Sequence, residues 1–289
     1  MPPVSSAKDK EINLRTAIVT DSTSDIPASL REKYNIFEIP AILVIEGKES
    51  LDGVGISRNE FYNRMPTMNT APTTAAPSVG SFQNLYCHLF DEGYTEIISI
   101  HASSKLSGIF NSARIAAQGF KENINVIDSQ QLTLGLGFQV IAAAKAAIQK
   151  LPVEKILARI TNIQKRVNVV ALLDTLEYVR RSGRVSWAKA SLGTLLHIKP
   201  FLTLANGTAQ SFGASRSRKK GVLRLLNLLQ ALGPLEYLAI LHSNAKEDAQ
   251  RFFESYPHDL PEQTFIVNVT TIIGTHVGPN GLGYAAVVK

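Results

Sequence analysis

The feature that most limits the fold of this chain is a regular alternation of short apolar runs and helical stretches over its first half. Runs such as "RTAIVTD" and "TEIISIH" are each followed by residues at helical spacing, for example "SGIFNSARIAAQGF". The run "NIFEIPAILVI" predicts one further strand. Such alternation is typical of parallel strands joined by helices that cover the sheet. The first half therefore predicts an α/β domain with a mostly parallel sheet flanked by helices.

The second half has a different pattern. The stretch "IKPFLTLANGTAQSF" predicts two strands about a tight turn at Asn206-Gly207, and "WAKASLGTLL" predicts a helix. Hairpin-linked strands with helices between them favour a smaller C-terminal α/β domain of the α+β type. A chain of 289 residues exceeds the usual size of one core, so we expect the first domain to pack on this one. The expected segments are a tail at 1–14, an N-terminal domain at 15–166 and a C-terminal domain at 167–289.

Composition limits the class of protein and its location. An apolar share of 45% and a charged share of 19% are those of a globular protein. No run approaches the roughly 20 apolar residues of a membrane helix, and the first residues lack the apolar core of a secretory signal. The single cysteine, Cys87, fits a reducing cytosol, and its helical spacing predicts a buried structural thiol. The sequence thus predicts a cytoplasmic protein without integral membrane association.

Positive charge is concentrated in two clusters of the second half. The formal net charge is +6. The cluster "EYVRRSGR" contains Arg184, and the cluster "SRSRKKGVLR" contains Arg216. Such runs are usually solvated helix faces, but they also suit an acidic partner surface or phosphate. A nucleic-acid-binding regulator would use them in salt-sensitive binding. The moderate charge does not by itself favour that interpretation, and we expect no nucleic-acid partner.

Sequence signatures of common enzyme classes are absent. The chain contains no phosphate-binding loop of the type G-x-x-x-x-G-K-[ST], no H-E-x-x-H motif and no G-x-S-x-G motif. Its six histidines are scattered and show no metal-ligand spacing. An alternative remains open, in which Asp21, Asp25 and His276 serve an autonomous phosphotransferase or hydrolase. The two aspartates could equally be helix caps and turn formers.

Two hydroxyl-rich segments, both predicted to be loops, are candidates for a ligand site. The segment "TAPTTAAPS" (70–78) precedes a helix, and "HASSKLSG" (101–108) lies between a strand and a helix. Loops at the carboxyl ends of parallel strands form the ligand crevice in open α/β sheets, and helix N-termini there favour anions. Because the two segments hold only one cation, Lys105, they suit a carboxylate better than a polyphosphate. Ordinary helix capping is the alternative role.

The segment "IGTHVGPNGLG" (273–283) surrounds a histidine with glycines near the end of the chain. Its glycines and proline predict an irregular loop that is neither helix nor strand. We expect bare backbone to approach a ligand there, with His276 as the polar contact. A surface turn with an incidental histidine is the alternative.

Eight short segments of the chain, taken in order, carry a family signal: "VTDSTSDIP" (19–27), "PTTAAPS" (72–78), "ISIHASSKLSGIFNSA" (98–113), "VIDSQQLTLGLG" (126–137), "DTLEYVRRSGRVS" (174–186), "LGTLLHIKP" (192–200), "SRSRKK" (215–220) and "IGTHVGPNGLG" (273–283). With these segments the chain resembles the DegV family of bacterial fatty-acid-binding proteins. That family includes the lipid-binding subunit of the two-component fatty acid kinase. The resemblance covers essentially everything after the N-terminal tail.

The resemblance implies a function and a set of site residues. The chain would bind one long-chain fatty acid and present its carboxylate to a separate, ATP-dependent kinase subunit, without catalysis or a cofactor of its own. The residues that would contact or surround the carboxylate are Thr73, Thr74, Ser104, Ser107 and His276. Arg184 and Arg216 match arginines that the family associates with phosphorylation by the kinase.

The chain departs from the family pattern at a few positions. Ala75-Ala76 stands where the family usually has Ser-Gln, Asn280 where glycine is common, and His197 where asparagine is common. Losing the polar groups of Ser-Gln at Ala75-Ala76, together with the other two changes, would change how the head group is held, or which acid is held. The departures bear on affinity more than on the class of protein.

Overall fold

The computed structural model describes residues 15–121, 123–185 and 198–289. The strands in these ranges are β1 (Thr16–Asp21), β2 (Ile36–Ile39), β3 (Ile42–Ile45), β4 (Lys48–Leu51), β5 (Thr73–Ala75), β6 (Glu96–His101), β7 (Asn123–Asp128), β8 (Val167–Leu172), β9 (Lys199–Ala205), β10 (Thr208–Ser215), β11 (Leu235–Ser243), β12 (Gln263–Asn268) and β13 (Gly281–Val288). The α-helices there are α1 (Ala28–Lys33), α2 (Arg58–Arg64), α3 (Val79–Asp91), α4 (Ile109–Ala117), α5 (Thr133–Ile148), α6 (Val153–Arg166), α7 (Glu177–Ser182), α8 (Arg218–Gln230), α9 (Lys246–Glu254) and α10 (Thr271–Val277). The tail, the predicted helix "WAKASLGTLL" and His197 lie outside the described residues.

A four-stranded parallel sheet forms the centre of the first half. Its strand order is β2-β1-β6-β7, and every pair is parallel. Val19 in β1 and Ile98 and Ile100 in β6 are fully buried, because helices α4 and α5 pack on these strands. Burial on both faces explains why such strands read as continuous apolar runs. The predicted α/β arrangement, a parallel sheet flanked by helices, is confirmed.

A six-stranded mixed sheet forms the second half, in the order β10-β9-β8-β13-β11-β12. Only β11 and β12 are parallel neighbours among its described strands. Leu282 and Tyr284 of β13 face the core formed with α8 and α9, so the intervening Gly283 faces the other side. The predicted hairpin is confirmed, since β9 and β10 pair about Asn206 and Gly207, which have φ of 51° and 76°. Two positive φ values are what a type I′ turn requires.

A small antiparallel sheet, in the order β4-β3-β5, corrects two predictions. The run "NIFEIPAILVI" is not one strand, because β2 ends at Ile39 in the parallel sheet and β3 begins at Ile42 in the small one. Pro40 lies between them and has no N–H to continue a ladder. The threonine segment is not wholly a loop either, since Thr74 in β5 pairs with Leu43 in β3.

Helix α5 joins the two larger sheets through one core. All of its residues from Thr133 to Ala144 are buried, and it contacts β1 and β6 of the parallel sheet and β8 and β13 of the mixed sheet. The same apolar cluster includes Val19 from the first half and Ala285 from the second. Because the halves share this core, the division at residue 166 stays a prediction.

The predicted irregular loop at 273–283 is wrong. Helix α10 runs through His276, and β13 begins at Gly281. The glycines have packing roles: a Cβ at Gly274 would overlap the ring of Tyr62, and one at Gly278 would overlap the ring of Tyr178. Gly274 permits this close approach within a helix, and Gly278 does so in the turn after the helix, where it also adopts a φ of 77°.

The prediction for Cys87 is also wrong, because this thiol is exposed. The buried residues of α3 are Phe82, Tyr86 and Leu89, which recur at i, i+4 and i+7. Cys87 follows Tyr86 directly and so points away from that stripe.

Candidate ligand-binding site

A cavity of about 620 Å³ lies between the mixed sheet, the serine segment, β5 and α10. Its walls are mainly apolar, with contributions from Ala171 of β8, Leu204 of β9, Leu241 of β11 and Ile273 of α10. This volume is within the range that small-molecule pockets occupy, about 300–1,000 Å³. The cavity therefore has the size and surface for an apolar ligand.

The same cavity has polar lining from four separate segments. Thr74, Ser104, Ser107, Arg184 and His276 all line it, so the structure brings together five of the seven residues that the sequence singled out. These residues come from β5, from the segment before α4, from the residues after α7, and from α10. They are up to 202 residues apart in sequence, between Thr74 and His276.

The other two predicted residues lie outside the lining. Thr73 is exposed, because neighbouring residues of a strand point to opposite faces and Thr74 faces the cavity. Arg216 is exposed in the connection between β10 and α8. Direct ligand contact by Thr73 and a role for Arg216 in phosphoryl transfer or docking therefore stay predictions.

Thr74 and His276 form a hydrogen-bonded pair at the cavity wall. Thr74 Oγ1 lies 2.9 Å from His276 Nε2. Burial, with a smaller contribution from the positive charge of Arg184, lowers the pKa of His276 to about 4, so the ring is neutral near pH 7. A neutral ring carries one hydrogen, on either Nδ1 or Nε2.

The burial of the second ring nitrogen decides between these two forms. His276 Nδ1 is buried and has no hydrogen-bond partner among the described residues. An orphaned N–H in that position would lose a hydrogen bond that water supplies in the unfolded chain. We therefore infer that Nε2 carries the hydrogen and donates it to Thr74 Oγ1. The hydroxyl hydrogen of Thr74 is then free to donate to a ligand in the cavity.

The two serines differ in what they can offer. Ser104 Oγ donates to Asp128 Oδ2 at 2.5 Å, so its hydrogen is already used within the protein. Ser107 Oγ accepts a hydrogen bond from the Ile109 amide at 3.3 Å, which leaves its own hydrogen free. Of the pair, Ser107 is the better donor to a ligand, and Ser104 fixes the segment that carries it.

A buried network that the sequence analysis missed supports this serine segment. His101 Nδ1 lies 3.0 Å from Asp21 Oδ2, and His101 Nε2 lies 2.6 Å from Ser99 Oγ, which accepts from Tyr86. Asp21 also accepts the amide of Ala102, the next residue of the segment. The order Ser-His-Asp is that of a hydrolase triad, but the three side chains are fully buried and do not line the cavity. Their role is to hold the segment in place.

Asp25 occupies a different buried position. Its Oδ1 accepts the Thr270 amide at 2.7 Å and lies 3.6 Å from Arg58 Nη1. Burial raises its pKa to about 7, and Arg58 opposes that shift. Neither Asp25 nor Asp21 lines the cavity, whereas His276 does. The structure therefore does not bring the three residues of the alternative hydrolase or phosphotransferase into one site.

The basic clusters divide into structural and exposed members. Arg218 donates to Asp248 and to the carbonyl of Asn280, and Arg224 stacks over the ring of Phe201 at 4.7 Å. Arg184 is exposed, lines the cavity, and donates to the carbonyl of Ser182. Arg184 is thus the member of the clusters that is placed to act at the cavity.

Among the described residues, the departures from the family pattern are Ala75 and Ala76, which line the cavity, and Asn280, which precedes the cavity residue Gly281. Both alanines have side chains without a hydrogen-bonding group. Asn280 has a φ of 61°, a left-handed conformation that asparagine tolerates better than most residues. This tolerance explains how asparagine can replace glycine at this position without disturbing the turn before β13.

The described ranges hold neither a candidate metal site nor a candidate membrane-spanning helix. They contain no group of three or more His, Cys, Asp or Glu residues that could hold a metal ion. None of their helices has the length and apolar character needed to cross a membrane.

The fold and the cavity define an α/β protein with a mainly apolar, ligand-sized cavity whose lining also contains hydroxyl and imidazole groups. The model of the DegV family, described as uncharacterised, matches residues 15–289. This chain belongs to the DegV family. Protein DegV of Bacillus subtilis is 33% identical over 277 residues, which cover 93% of this chain and 98% of that protein.

Solved structures agree with this assignment. A DegV family protein of Thermus thermophilus, described by its fatty acid binding, is 31% identical with a TM-score of 0.88, covering 96% of this chain and 100% of that one. DegV of Bacillus subtilis, described as a fatty acid binding protein, is 31% identical with a TM-score of 0.84 over 96% and 100% of the two chains.

Proposed function

We propose that this protein binds one long-chain fatty acid, with the acyl chain against the apolar walls of the cavity and the carboxylate beside Thr74 and Ser107. The observation that carries the proposal is that one cavity of about 620 Å³ has mainly apolar walls and is also lined by Thr74 and Ser107, whose hydroxyl hydrogens are free. The fatty acid binding described for two relatives of similar fold supports the same ligand class.

The energetics of such a ligand divide between its two parts. Each methylene that leaves water contributes about 0.8 kcal/mol, so the acyl chain supplies most of the affinity. The carboxylate must keep hydrogen bonds when it leaves water, because an unpaired buried charge is costly. Thr74 and Ser107 offer two donors, and the nearby Arg184 supplies positive charge.

We further propose that the bound carboxylate is presented to a separate, ATP-dependent kinase subunit in the cytosol, with this chain as the non-catalytic carrier and without a cofactor of its own. Arg184 at the cavity and the exposed Arg216 have the charge to stabilise a transferring phosphoryl group or to dock an acidic surface. The location follows the expectation from composition and the single cysteine.

Mass spectrometry of the small molecules released from purified, denatured protein tests the ligand class. We expect about one long-chain fatty acid per chain, since burial of the chain favours retention through purification. If delipidated protein fails to bind palmitate in a direct titration, the proposed carrier function is wrong. Turnover of ATP by the purified chain alone would instead support an autonomous phosphotransferase.

A further inference from the structure

Helix α10 carries His276 in its last turn, while its first turn is held by residues from distant parts of the chain. The Thr270 amide donates to Asp25 Oδ1 at 2.7 Å, and Thr271 Oγ1 donates to Asp52 Oδ1 at 2.7 Å. The helix has seven residues and is about 10 Å long. Over so short a distance it moves as one body, so its first turn sets where His276 lies.

Helix α2 completes this attachment. Tyr62 Oη lies 3.0 Å from the carbonyl oxygen of Val269 and 3.3 Å from that of Thr270, to which it donates. Arg58 donates to the carbonyl of Asn268 and pairs with Asp25 at 3.6 Å. The ring of Tyr62 also packs directly on Gly274, where a Cβ would overlap it. The turn at 268–271 is therefore fixed on several sides by the first half of the chain.

Asp25 is the buried carboxyl group at the centre of this attachment. Its residue is 1% exposed, and its Oδ2 has no hydrogen-bond partner among the described residues. Its backbone has a φ of 55°, a left-handed value that asparagine and glycine also accept. Because one of its oxygens accepts the Thr270 amide, this buried carboxyl group is placed to hold the start of α10.

We propose that Asp25, assisted by Arg58, is a positioning residue for the polar end of the cavity: by binding the Thr270 amide it fixes α10 and thereby the contact between His276 and Thr74. The proposal rests on the proposed fatty acid binding only for its effect on affinity. Its effect on α10 concerns the ligand-free protein as well.

The charge state of Asp25 gives this role a pH dependence. Burial raises its pKa from 3.8 to about 7, and the charged or titratable groups facing it are Arg58 and Tyr62 of α2 and Asp52 after β4. While α10 is held in place, Asp25 is buried and keeps a proton that an exposed carboxylate would release near its ordinary pKa. By linkage, the contribution of Asp25 to the attachment of α10 is therefore largest in acid. It decreases as the pH rises towards 7 and is constant above that value.

Hydrogen exchange at α10 in the ligand-free full chain, corrected for the intrinsic effect of pH on exchange, tests the proposal. We expect Asp25→Gly to lower the protection of these amides roughly tenfold, which corresponds to the loss of about one hydrogen bond. Asp25→Asn keeps an acceptor oxygen and should restore protection. Between pH 5 and 7, protection in the wild type should fall relative to that in Asp25→Asn. The opposite response of His276, whose pKa burial lowers to about 4, is common to both proteins and cancels in this ratio.

Glu38→Gln is the matched control. Burial also raises the pKa of Glu38 to about 7, and this carboxylate pairs with an arginine, Arg31, at 2.7 Å. Its loss should alter the pH dependence of global stability and leave the pH dependence at α10 unchanged. Unchanged protection of α10 in Asp25→Gly overturns the proposal. A pH response of α10 protection that Glu38→Gln removes and Asp25→Asn retains also overturns the proposal. This comparison does not need Asp25→Gly, so it tests the proposal even when that variant does not fold.

Palmitate titration is a second test of the positioning role of Asp25. Asp25→Gly should weaken binding, and Thr74→Val should cost less affinity in that background than in the wild type, because the two changes act on one contact. Strict additivity of the two losses contradicts the positioning role. If the wild type itself binds no palmitate, the proposed function fails, and the exchange measurements still decide whether Asp25 positions α10.

Discussion

Replacing Thr74 by valine removes one hydroxyl from the cavity and keeps the branched shape of the side chain. The inferred proton arrangement makes this hydroxyl a donor to the ligand, while its oxygen accepts from His276 Nε2 at 2.9 Å. A hydrogen bond to a charged group contributes about 1.5–3 kcal/mol, so the affinity for palmitate should fall roughly ten- to a hundredfold. Thr74→Ser keeps the hydroxyl and should retain most of the affinity.

Isothermal titration of delipidated protein with palmitate measures this loss, and circular dichroism checks that each variant is folded. Thr73→Val is the matched control, because Thr73 is the adjacent residue of the same strand and is exposed. We expect no change of affinity in that control. If Thr74→Val and Thr73→Val bind palmitate equally well, the assigned direction of the Thr74–His276 hydrogen bond is wrong.

Three further outcomes follow from other contacts. Ser107→Ala should weaken palmitate binding in the same titration, whereas Ser104→Ala should chiefly lower thermal stability, because the Ser104 hydroxyl bonds Asp128; the reverse pattern would contradict the assignment. Burial raises the pKa of Glu38 from 4.5 to about 7, so the folded protein holds more protons than the unfolded chain in this window. The contribution of this group to the free energy of unfolding is present in acid and falls by up to about 3 kcal/mol as the pH rises to 7. Urea unfolding at several pH values should show that Glu38→Gln removes this part of the pH dependence. Arg184→Ala and Arg216→Ala should retain fatty acid but slow acyl-phosphate formation with a cognate kinase, by about a hundredfold where one preorganised electrostatic contact is lost. Normal rates in both variants would show that these two arginines are only solvated surface residues.

The elements that the sequence predicted are those whose signal is local. The parallel sheet follows from alternating apolar strands and helices, and the β9–β10 hairpin follows from Asn206-Gly207. Both depend on residues close together in the chain. Prediction of the cavity residues rested on family motifs as well, and the structure places Thr74, Ser107 and His276 around one cavity.

The elements that the sequence missed depend on distant partners. Glycine normally disfavours a helix, but Gly274 lies in one because Tyr62, distant in sequence, packs there and leaves no room for the Cβ of any other residue. The hydrogen-bond partner of Ser104 and the pairing of His101 with Asp21 likewise join separate segments. Spacing along the chain cannot reveal which hydroxyl is already used, so the choice between the two serines required the structure.

The strand order of the mixed sheet has a consequence for synthesis of the chain. The last described strand, β13, lies in the middle of that sheet between β8 and β11, and α5 packs against it. A ribosome therefore releases β8, β11 and the apolar helix α5 well before the strand that joins them. Until β13 emerges, these surfaces remain uncovered and are open to aggregation or to a chaperone. Nascent chains stalled before residue 281 should bind chaperones, and release of the last strand should end that binding.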